Sequence, residues 1–412
     1  MSSGQFSAFE DVAIIEALRT PWSDLNGPLA QVSPIDLGIK VGRAVLARAD
    51  LDPAAVDSVL AGSMAQASFD AYMLPRHIGL YSGVPQQVPA LAVQRICGTG
   101  LELLRQAAMH LQSGGQLALC VGSESMSRNP IASYEHRAGF RLGAPVGFKD
   151  FLWEALFDPA PGVDMIATAE RLAAEQGISR EQVDAYALGS HLRALQARDS
   201  GWLAGEIVAV GNERFELDGY QARGIQLPRR VVEVAQDSHP RPTDAEALAR
   251  LHAIHPGGVQ TAGNSCAVVD GAAAALVGRA CDCTRPPLAL LRTASVVGVA
   301  PEIMGIGPAP AIQLLLQRSG LRLDEIGLLE INEAQGAQVL AVSQALGLDP
   351  ARLNQRGGSI ALGHPLAATG LRLVMTLARQ LRDANLRYGI AAACIGGGQG
   401  MALLIENPGY QA

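Results

Sequence analysis

The sequence predicts an α/β protein built from two duplicated halves. Of its 412 residues, 49% are hydrophobic, only 4% are aromatic and 45 are glycine, a composition that suits closely packed elements of small residues. The last third repeats the first: residues 99–101 match 369–371 at an offset of 270, and residues 118–122 match 392–396 at an offset of 274. Two halves related by a pseudo-two-fold axis would bring equivalent helix N-termini together at the centre, and a site there would draw residues from both.

Charge and cysteine content exclude several classes of protein. The net charge of −7 and the pI near 5.7 argue against a general surface for nucleic acid or anionic membranes. The N-terminal residues lack a basic segment followed by an apolar core, and no apolar run reaches transmembrane length, so we expect neither a signal peptide nor a membrane span. The six cysteines predict reduced thiols in the cytoplasm, and the pair Cys281 and Cys283 lacks nearby partners for a metal site.

Apolar periodicity predicts alternating strands and helices in the first half. Leu91, Val93 and Ile96 predict a strand that leads up to Cys97, and apolar residues recur at the spacing of one helix face over residues 101–111. The other elements predicted there are a strand at residues 12–16, a helix at 34–47, a turn and strand at 51–62, a helix at 73–80 and a strand at 117–122. This alternation favours mixed, mostly parallel sheets sandwiched by helices.

The middle of the chain departs from that pattern. Over residues 123–243 glycines, prolines and charges alternate with helices, and Ser179 with Gln182 predicts a capping box. The helices predicted in this insertion lie at residues 164–176 and 179–198. Excursions of this length usually carry function. Beyond it the small-residue composition returns, and the alanines after Gly271 predict a helix.

Cys97 stands at the junction between a predicted strand and a predicted helix. At a helix N-terminus the unpaired backbone N–H groups and the positive end of the helix dipole favour the thiolate, the nucleophilic form of cysteine. A cysteine among apolar residues is also a common small core residue, so this position alone does not identify a nucleophile. Cys120 aligns with Cys394 in the repeat but lacks the glycine triplet that follows Cys394, and we interpret it as structural.

Four stretches rich in small residues carry groups that suit one reaction. They are residues 96–100 (ICGTG), 331–334 (INEA), 357–365 (GGSIALGHP) and 394–398 (CIGGG). Together they supply the thiol of Cys97, the carboxamide of Asn332, the imidazole of His364, the second thiol of Cys394 and exposed backbone N–H groups. This set of groups predicts acyl transfer through a thioester.

The combination resembles the thiolase superfamily over essentially the whole chain. Its most specific feature is Gly-His-Pro followed by Cys-Ile-Gly-Gly-Gly, in which Cys394 comes thirty residues after His364. The resemblance implies a duplicated thiolase fold with a five-layered αβαβα core and an inserted loop domain. It implies an N-terminal half at residues 1–122 and 244–280, a CoA-binding loop domain at 123–243 and a C-terminal half at 281–412.

The resemblance also implies a role for each catalytic group. Cys97 would be the acylated nucleophile and His364 would activate it. Asn332 would hold a water that forms one oxyanion hole with His364. Cys394 would be the acid/base thiol, and the N–H groups of Cys97 and Gly396 would form the second oxyanion hole.

The activity implied is that of a thiolase in fatty acid metabolism. It would form or cleave 3-oxoacyl-CoA by Claisen condensation or thiolysis, with an acyl-cysteine intermediate and ping-pong kinetics. Acyl-CoA and CoA would be the substrates, with no tightly bound cofactor and no metal, in a homodimer or homotetramer. The alternative is a thiolase-like acyl-CoA binding protein with altered or lost condensation activity. A third hypothesis is a related condensing enzyme that uses another acceptor. The second cysteine, Cys394, argues against it.

Departures from the family pattern concern the substrate-binding residues. Gln335 replaces the usual Phe, Cys266 stands where the family often has Ser, and Asp164 replaces a His of one acetoacetyl-forming branch. The predicted CoA- and substrate-binding residues are Met165, Arg229, Arg230, Ala262, Ser265, Cys266, Met304 and Gln335. The two arginines suit bidentate phosphate contacts or, equally, a solvated surface, and the two methionines suit a pocket lining or ordinary core filling.

Overall fold

The computed structural model describes residues 3–64 and 71–411. The described residues up to Glu124 form helices α1 (Pro34–Ala49), α2 (Leu74–Tyr81) and α3 (Thr99–Gln112), and strands β1 (Gly4–Ala8), β2 (Val12–Arg19), β3 (Ser23–Asp24), β4 (Ser58–Gly62), β5 (Ala90–Ala92) and β6 (Leu117–Glu124). Strand β6 therefore continues two residues into the segment assigned to the loop domain.

The insertion contains short strands between its helices. Its helices are α4 (Phe151–Glu154), α5 (Met165–Gln176) and α6 (Arg180–Asp199), and the short helix α7 (Ala245–Ala249) follows the insertion. Its strands are β7 (Ile131–Ala132), β8 (Lys149–Asp150), β9 (Phe157–Asp158), β10 (Val163–Asp164), β11 (Val210–Gly211), β12 (Glu213–Phe215), β13 (Arg223–Ile225) and β14 (Glu233–Val234).

After the insertion the chain returns to long strands and helices. The strands are β15 (Val269–Arg279), β16 (Ala289–Gly298), β17 (Ile326–Ile331), β18 (Tyr388–Ile395) and β19 (Gln399–Glu406). The helices are α8 (Pro308–Ser319), α9 (Gly336–Leu346), α10 (Ser359–Leu362) and α11 (Leu366–Asp383).

The two halves have the same strand topology. In the first half β4 lies parallel to β6, and β6 and β2 lie antiparallel on either side of β15. In the second half β17 lies parallel to β18, and β18 and β16 lie antiparallel on either side of β19. The topology therefore confirms the duplication that the sequence repeat predicts.

The half-sheets join along one edge and enclose a layer of helices. Strands β2 and β16 pair where Ile14 lies opposite Ala289 and Ala13 opposite Leu290, which makes one continuous sheet in the described part of the chain. Helices α3 and α11 pack between the half-sheets, α1 and α2 cover the outer face of the first, and α8 covers the outer face of the second. These are the five layers, αβαβα, that the family resemblance implies.

Helices α3 and α11 meet near their N-termini at a pair of glycines. A Cβ atom on Gly100 would lie 2.6 Å from the backbone nitrogen of Leu371, and the backbones approach equally closely at Gly370. Only glycine permits this approach. The equivalent helix N-termini therefore meet at the centre, as predicted, and the residues that precede them, Cys97 and His364, arrive there from opposite halves.

The insertion is anchored to the first half by buried charges. The Nε atom of Arg19 on β2 lies 2.9 Å from Oε1 of Glu206, and its Nη1 atom lies 2.6 Å from Oδ1 of Asp237. The capping box of Ser179 and Gln182 is confirmed at the start of α6, which packs with α5 against α9 of the second half. No helix in the described part of the chain has the length and apolarity to cross a membrane.

The alanine-rich segment after Gly271 is strand β15, so the predicted helix is wrong. Residues 273–275 pair with β2 on one side and with β6 on the other, and all are buried. The helix propensity of alanine is small compared with hydrogen bonding on both edges. The small side chains also let α1 and α11 pack closely on the two faces of the strand.

The strand predicted before Cys97 is shorter than expected. It ends at Ala92, and Ile96 lies in a 3₁₀ turn over Ile96–Gly98 with a φ of 47°. The hydroxyl of Thr99 accepts the N–H of Arg95 and donates to the carbonyl oxygen of Ile96. These two hydrogen bonds turn the chain before α3 and override the β propensity of Ile96.

Candidate active site

Cys97 lies in the 3₁₀ turn that precedes α3, with 8% of its surface exposed. Burial raises the pKa of its thiol to about 11, although the N–H groups of Gly396 and of Cys97 itself donate to the sulfur and act in the opposite direction. The effect of desolvation on the pKa of Cys97 is therefore larger than that of the helix N-terminus, which the sequence predicts to favour the thiolate. In this state Cys97 is a neutral thiol that needs a base.

His364 lies immediately before Pro365 and α11, and is almost completely buried. Its Nδ1 atom lies 2.6 Å from Oγ1 of Thr369, which also donates to the carbonyl oxygen of Pro365 at 3.2 Å. Because that hydroxyl hydrogen is used, Nδ1 carries the imidazole proton and Nε2 has the free lone pair. Burial, reinforced by the charge of Arg372, lowers the pKa of His364 to about 3, so the ring is neutral at physiological pH.

Asn332 follows β17 and is completely buried. Its Nδ2 atom lies 3.3 Å from Nε2 of His364, while its Oδ1 atom accepts the hydroxyl of Ser359 at 2.7 Å. Arg372 donates to the same hydroxyl oxygen at 3.5 Å, which leaves the hydroxyl hydrogen for Asn332. The amide is thus oriented with its NH₂ group towards His364.

Glu333, the next residue, fastens this loop to the insertion. Its buried carboxylate accepts the hydroxyls of Tyr186 and Ser190 at 2.8 and 2.7 Å, the side-chain amide of Asn354 at 2.8 Å and the N–H of Ile360 at 3.1 Å. Four donors compensate the desolvation of this carboxylate. Helix α6, which carries the tyrosine and the serine, thereby helps to hold the loop that carries Asn332.

Cys394 is the next-to-last residue of β18 and is completely buried against Met304 and Ala334, with Met165 beside them. Burial raises the pKa of its thiol well above the ordinary value, and the nearby thiols of Cys97 and Cys266 add to the shift. Three thiols therefore interact at this centre. Cys120, interpreted as structural, is buried in the core, where its thiol lies 3.5 Å from the carbonyl oxygen of Leu103.

A cavity of about 180 Å³ opens beside Cys97. Most of its lining is apolar: Met64, Ile96, Ala155, Leu156, Phe157, Pro159, Met165 and Leu366, together with Asp158, Gly396 and Gly397. Met165, one of the two methionines predicted to contact substrate, lines this cavity, whereas Met304 packs against Cys394.

The segment that contains Ser265 and Cys266 pairs with the segment that contains Gln335. Cys266 donates its N–H to the carbonyl oxygen of Ala334 at 3.0 Å, and Ser265 forms a β-bridge with Gln335. The hydroxyl of Ser265 donates to Oε1 of Gln260, and burial raises the pKa of Cys266 to about 12. This brings three of the predicted binding residues next to Asn332, whereas Ala262 lies exposed on the preceding turn.

Arg229 and Arg230 are not brought to the cavity. Both are exposed on the connection between β13 and β14, in a part of the insertion whose Phe215 and Ile225 join the apolar cluster that contains α1. Neither arginine is among the described residues that line the cavity beside Cys97. Their exposure is compatible with both alternatives for this pair, phosphate contacts and a solvated surface.

Three supporting residues escaped the sequence analysis. Ser359 and Thr369 orient Asn332 and His364, and Glu124 accepts the N–H groups of Met64 and Ala367 at the rim of the site. Ser359 stands within the quoted stretch 357–365, but only the fold shows which group its hydroxyl meets. Among the described residues no cluster of three or more His, Cys, Asp or Glu is arranged to hold a metal ion.

Comparisons with known proteins identify relatives over nearly the whole chain. Residues 12–280 match the family model for the thiolase N-terminal domain, and residues 285–407 match that for the thiolase C-terminal domain. The chain is 40% identical over 403 residues to the mitochondrial 3-ketoacyl-CoA thiolase of Bos taurus, covering 96% of this chain and 98% of the relative. It is 39% identical over 405 residues to the acetyl-CoA acetyltransferase of Escherichia coli K12, covering 97% and 99%.

Solved structures show the same likeness. The crystal structure of human mitochondrial 3-ketoacyl-CoA thiolase in complex with CoA matches with a TM-score of 0.88 and 37% identity, covering 96% of this chain and 98% of that chain. The crystal structure of the Bacillus anthracis acetyl-CoA acetyltransferase matches with a TM-score of 0.90 and 37% identity, covering 97% and 99%.

Proposed function

We propose a residue-level mechanism for this chain, which belongs to the thiolase family. It is a thiolase, an acyl-CoA C-acyltransferase that forms or cleaves 3-oxoacyl-CoA. Cys97 carries the acyl group between two half-reactions, which makes the kinetics ping-pong. Nothing in the comparisons favours the alternative of an acyl-CoA binding protein that has lost condensation activity.

In the first half-reaction Cys97 attacks the thioester carbonyl of an acyl-CoA. Nε2 of His364 takes the thiol proton, because Nδ1 already carries the other one. The N–H groups of Cys97 and Gly396 stabilise the oxyanion, and each such donor contributes roughly 2.7–4 kcal/mol. Cys394 gives its proton to the departing CoA sulfur and becomes a thiolate.

In the second half-reaction that thiolate is the base. Cys394 removes a proton from the methyl group of acetyl-CoA, and the resulting enolate attacks the acyl group on Cys97. Nε2–H of the protonated His364 and a water held by Asn332 stabilise the enolate oxygen. The released Cys97 sulfur then takes back its proton from His364, so 3-oxoacyl-CoA leaves and all three groups return to their starting states. Thiolysis is the reverse sequence.

This proposal rests on the observation that groups from both halves surround the sulfur of Cys97. Gly396 of the second half donates its N–H to Cys97 of the first, and the thiol of Cys394, also from the second half, is near enough to Cys97 for the two to interact electrostatically. A buried structural cysteine would have no need of a backbone donor from the other half. The neutral His364 and the apolar cavity suit a thioester substrate.

Acylation of Cys97 is the direct test. Unmodified protein is incubated with acetyl-CoA and its intact mass is measured by mass spectrometry. The control is Cys120→Ala, which loses a different buried thiol, the one that the repeat aligns with Cys394. We expect both to gain one acetyl group and the Cys97→Ala variant to gain none. Turnover of acetoacetyl-CoA and CoA by Cys97→Ala would contradict the mechanism.

We further propose that the protein acts in fatty acid metabolism in the cytoplasm. All six cysteines lie in the described part of the chain and are free thiols, which is typical of a reducing compartment. Fractionation of cells that express the chain from its own locus tests the compartment. Loss of growth on fatty acids after deletion of the locus tests the metabolic role, and unchanged growth would argue against it.

We also propose a homodimer or homotetramer with no tightly bound cofactor. Strand β5 ends the sheet, and its Leu91 is 53% exposed, so this edge is open to pairing with a second copy. Light scattering after size exclusion measures the mass, and a monomer would overturn the oligomer. To test for a cofactor, the protein is treated with EDTA and supplied only with 3-oxoacyl-CoA and CoA. If no cofactor is needed, we expect the full rate of thiolysis.

A further inference from the structure

The cavity beside Cys97 contains one ionisable group that the mechanism above does not use. Asp158 carries the only carboxyl group among the described residues of a lining that is otherwise mostly apolar. Asp158 ends β9, in the insertion, and lines a cavity beside Cys97, whereas the catalytic groups all come from the two halves. A carboxylate in such a lining requires an explanation.

The position of this carboxylate is set by a short hairpin. Asp158 pairs with Val163 on β10, and its carbonyl oxygen accepts the N–H of Gly162 at 3.0 Å. Its Oδ1 atom accepts the N–H of Ala160, also at 3.0 Å. The hairpin leads directly into α5 and Met165, so the carboxylate and the pocket wall are held together.

The second carboxylate oxygen has no partner. Asp158 is only 9% exposed, its Oδ2 atom is buried, and neither a hydrogen bond to Oδ2 nor an ion pair with this side chain occurs among the described residues. A buried acceptor that has lost its water costs free energy unless a donor replaces it. Rotation of this side chain towards the cavity that Asp158 lines would let a donor on the bound molecule replace the missing partner.

We propose that Oδ2 of Asp158 accepts a hydrogen bond from an amide N–H of the pantetheine arm of acyl-CoA. This inference rests on the proposed function, which brings the thioester sulfur of acyl-CoA to Cys97. In CoA the first amide nitrogen is separated from that sulfur by two methylene groups, so it enters the same cavity. Asp158 is then a specificity-determining residue that recognises the arm and not the acyl group.

The test is a cycle that removes the acceptor, the donor or both. The acceptor is removed by Asp158→Leu, which keeps the branching at Cγ and replaces the two oxygens with larger methyl groups. The donor is removed from the substrate by comparing the acetoacetyl thioester of N-acetylcysteamine, which keeps the amide N–H, with the ester analogue in which oxygen replaces that N–H. Values of kcat/KM for thiolysis of the two are measured with each protein.

A hydrogen bond to a buried charged group predicts a loss of roughly 10- to 100-fold in kcat/KM when either side is removed. We expect kcat/KM of Asp158→Leu to be lower than that of unmodified protein by this factor with acetoacetyl-CoA and with the amide substrate. With the ester analogue we expect the two proteins to have the same kcat/KM. Asp158→Asn, which retains a carbonyl acceptor, is expected to lie between the two proteins.

Other results overturn the inference. An equal loss with amide and ester substrates indicates a structural role, and no loss with either indicates that Asp158 is unused. A loss that appears only with hydroxylated acyl chains places the donor on the acyl group. The comparison of amide with ester in unmodified protein is informative even where Asp158→Leu does not fold, because equal rates there exclude a bond to the N–H. Absence of acetoacetyl-CoA thiolysis in unmodified protein would instead contradict the proposed function.

Discussion

The Nδ1 atom of His364 lies 2.6 Å from the hydroxyl oxygen of Thr369, in the first turn of the helix that His364 precedes. The hydroxyl hydrogen is committed to the carbonyl oxygen of Pro365, so this contact selects the tautomer whose Nε2 can accept a proton. Helix α11, which packs against α3 at Gly370, therefore also orients the imidazole of His364.

Replacement of Thr369 should impair the base without removing it. In Thr369→Ala the imidazole loses a hydrogen bond worth about 1 kcal/mol, so we expect kcat/KM for thiolysis to fall about fivefold. Thr369→Ser retains the hydroxyl and should recover most of the activity. Steady-state kinetics measure both, and equal activity of the alanine and serine variants would exclude the positioning role.

Ser359 should matter to turnover more than to substrate binding. In Ser359→Ala the Oδ1 atom of buried Asn332 loses its donor, which costs about 1–3 kcal/mol and leaves the amide free to rotate. We expect kcat to fall by about tenfold or more with little change in KM. Ser343→Ala is the matched control, because it removes another buried hydroxyl, bonded to the carbonyl oxygen of Val339 on α9, and should leave kcat unchanged.

Burial of neutral His364 should make the protein sensitive to acid. Its folded pKa of about 3 lies below the ordinary value near 6.5, so the unfolded state binds the proton more readily. The resulting stabilisation is complete above pH 6.5 and is lost as the pH falls towards 3, by about 2 kcal/mol at pH 5. Denaturant unfolding at pH 7.5 and pH 5 should show a drop that is smaller by this amount in His364→Gln. An equal drop in both proteins would mean that His364 is not buried as a neutral ring.

The glycine contact between α3 and α11 should be intolerant of a methyl group. A Cβ at Gly100 meets the backbone of α11, which cannot move aside as a flexible side chain can, so we expect Gly100→Ala to lower the free energy of unfolding by roughly 1–3 kcal/mol and to reduce activity. Gly189→Ala on α6 is the control, because its Cβ meets only the guanidinium end of Arg193, 3.0 Å away. There the gain in helix propensity of up to about 1 kcal/mol should dominate. A Gly100→Ala protein as stable as this control would contradict the close packing.

The sequence by itself determined the class of fold and the reactive groups. The repeat survives as matching residues and predicts the duplication. The predicted mostly parallel sheets are wrong, because β15 and β19 each pair antiparallel with both of their neighbours. Cys97, Asn332, His364 and Cys394 stand in short stretches whose chemistry can be read without knowing their neighbours. Helix caps such as Ser179 with Gln182 are equally local, because both partners lie within one turn.

The tertiary structure decided whatever depends on distant partners. The alanines of β15 became a strand because β2 and β6 flank them, and their own propensity is weaker than that pairing. The pKa of Cys97 rose despite its place at a helix N-terminus, because desolvation is set by what covers the residue. The hydroxyl of Ser359 could be assigned to Asn332 only once the chain had folded, since 27 residues separate them. Burial and hydrogen bonding between remote segments are properties of the packed molecule, and no periodicity or motif in the chain encodes them locally.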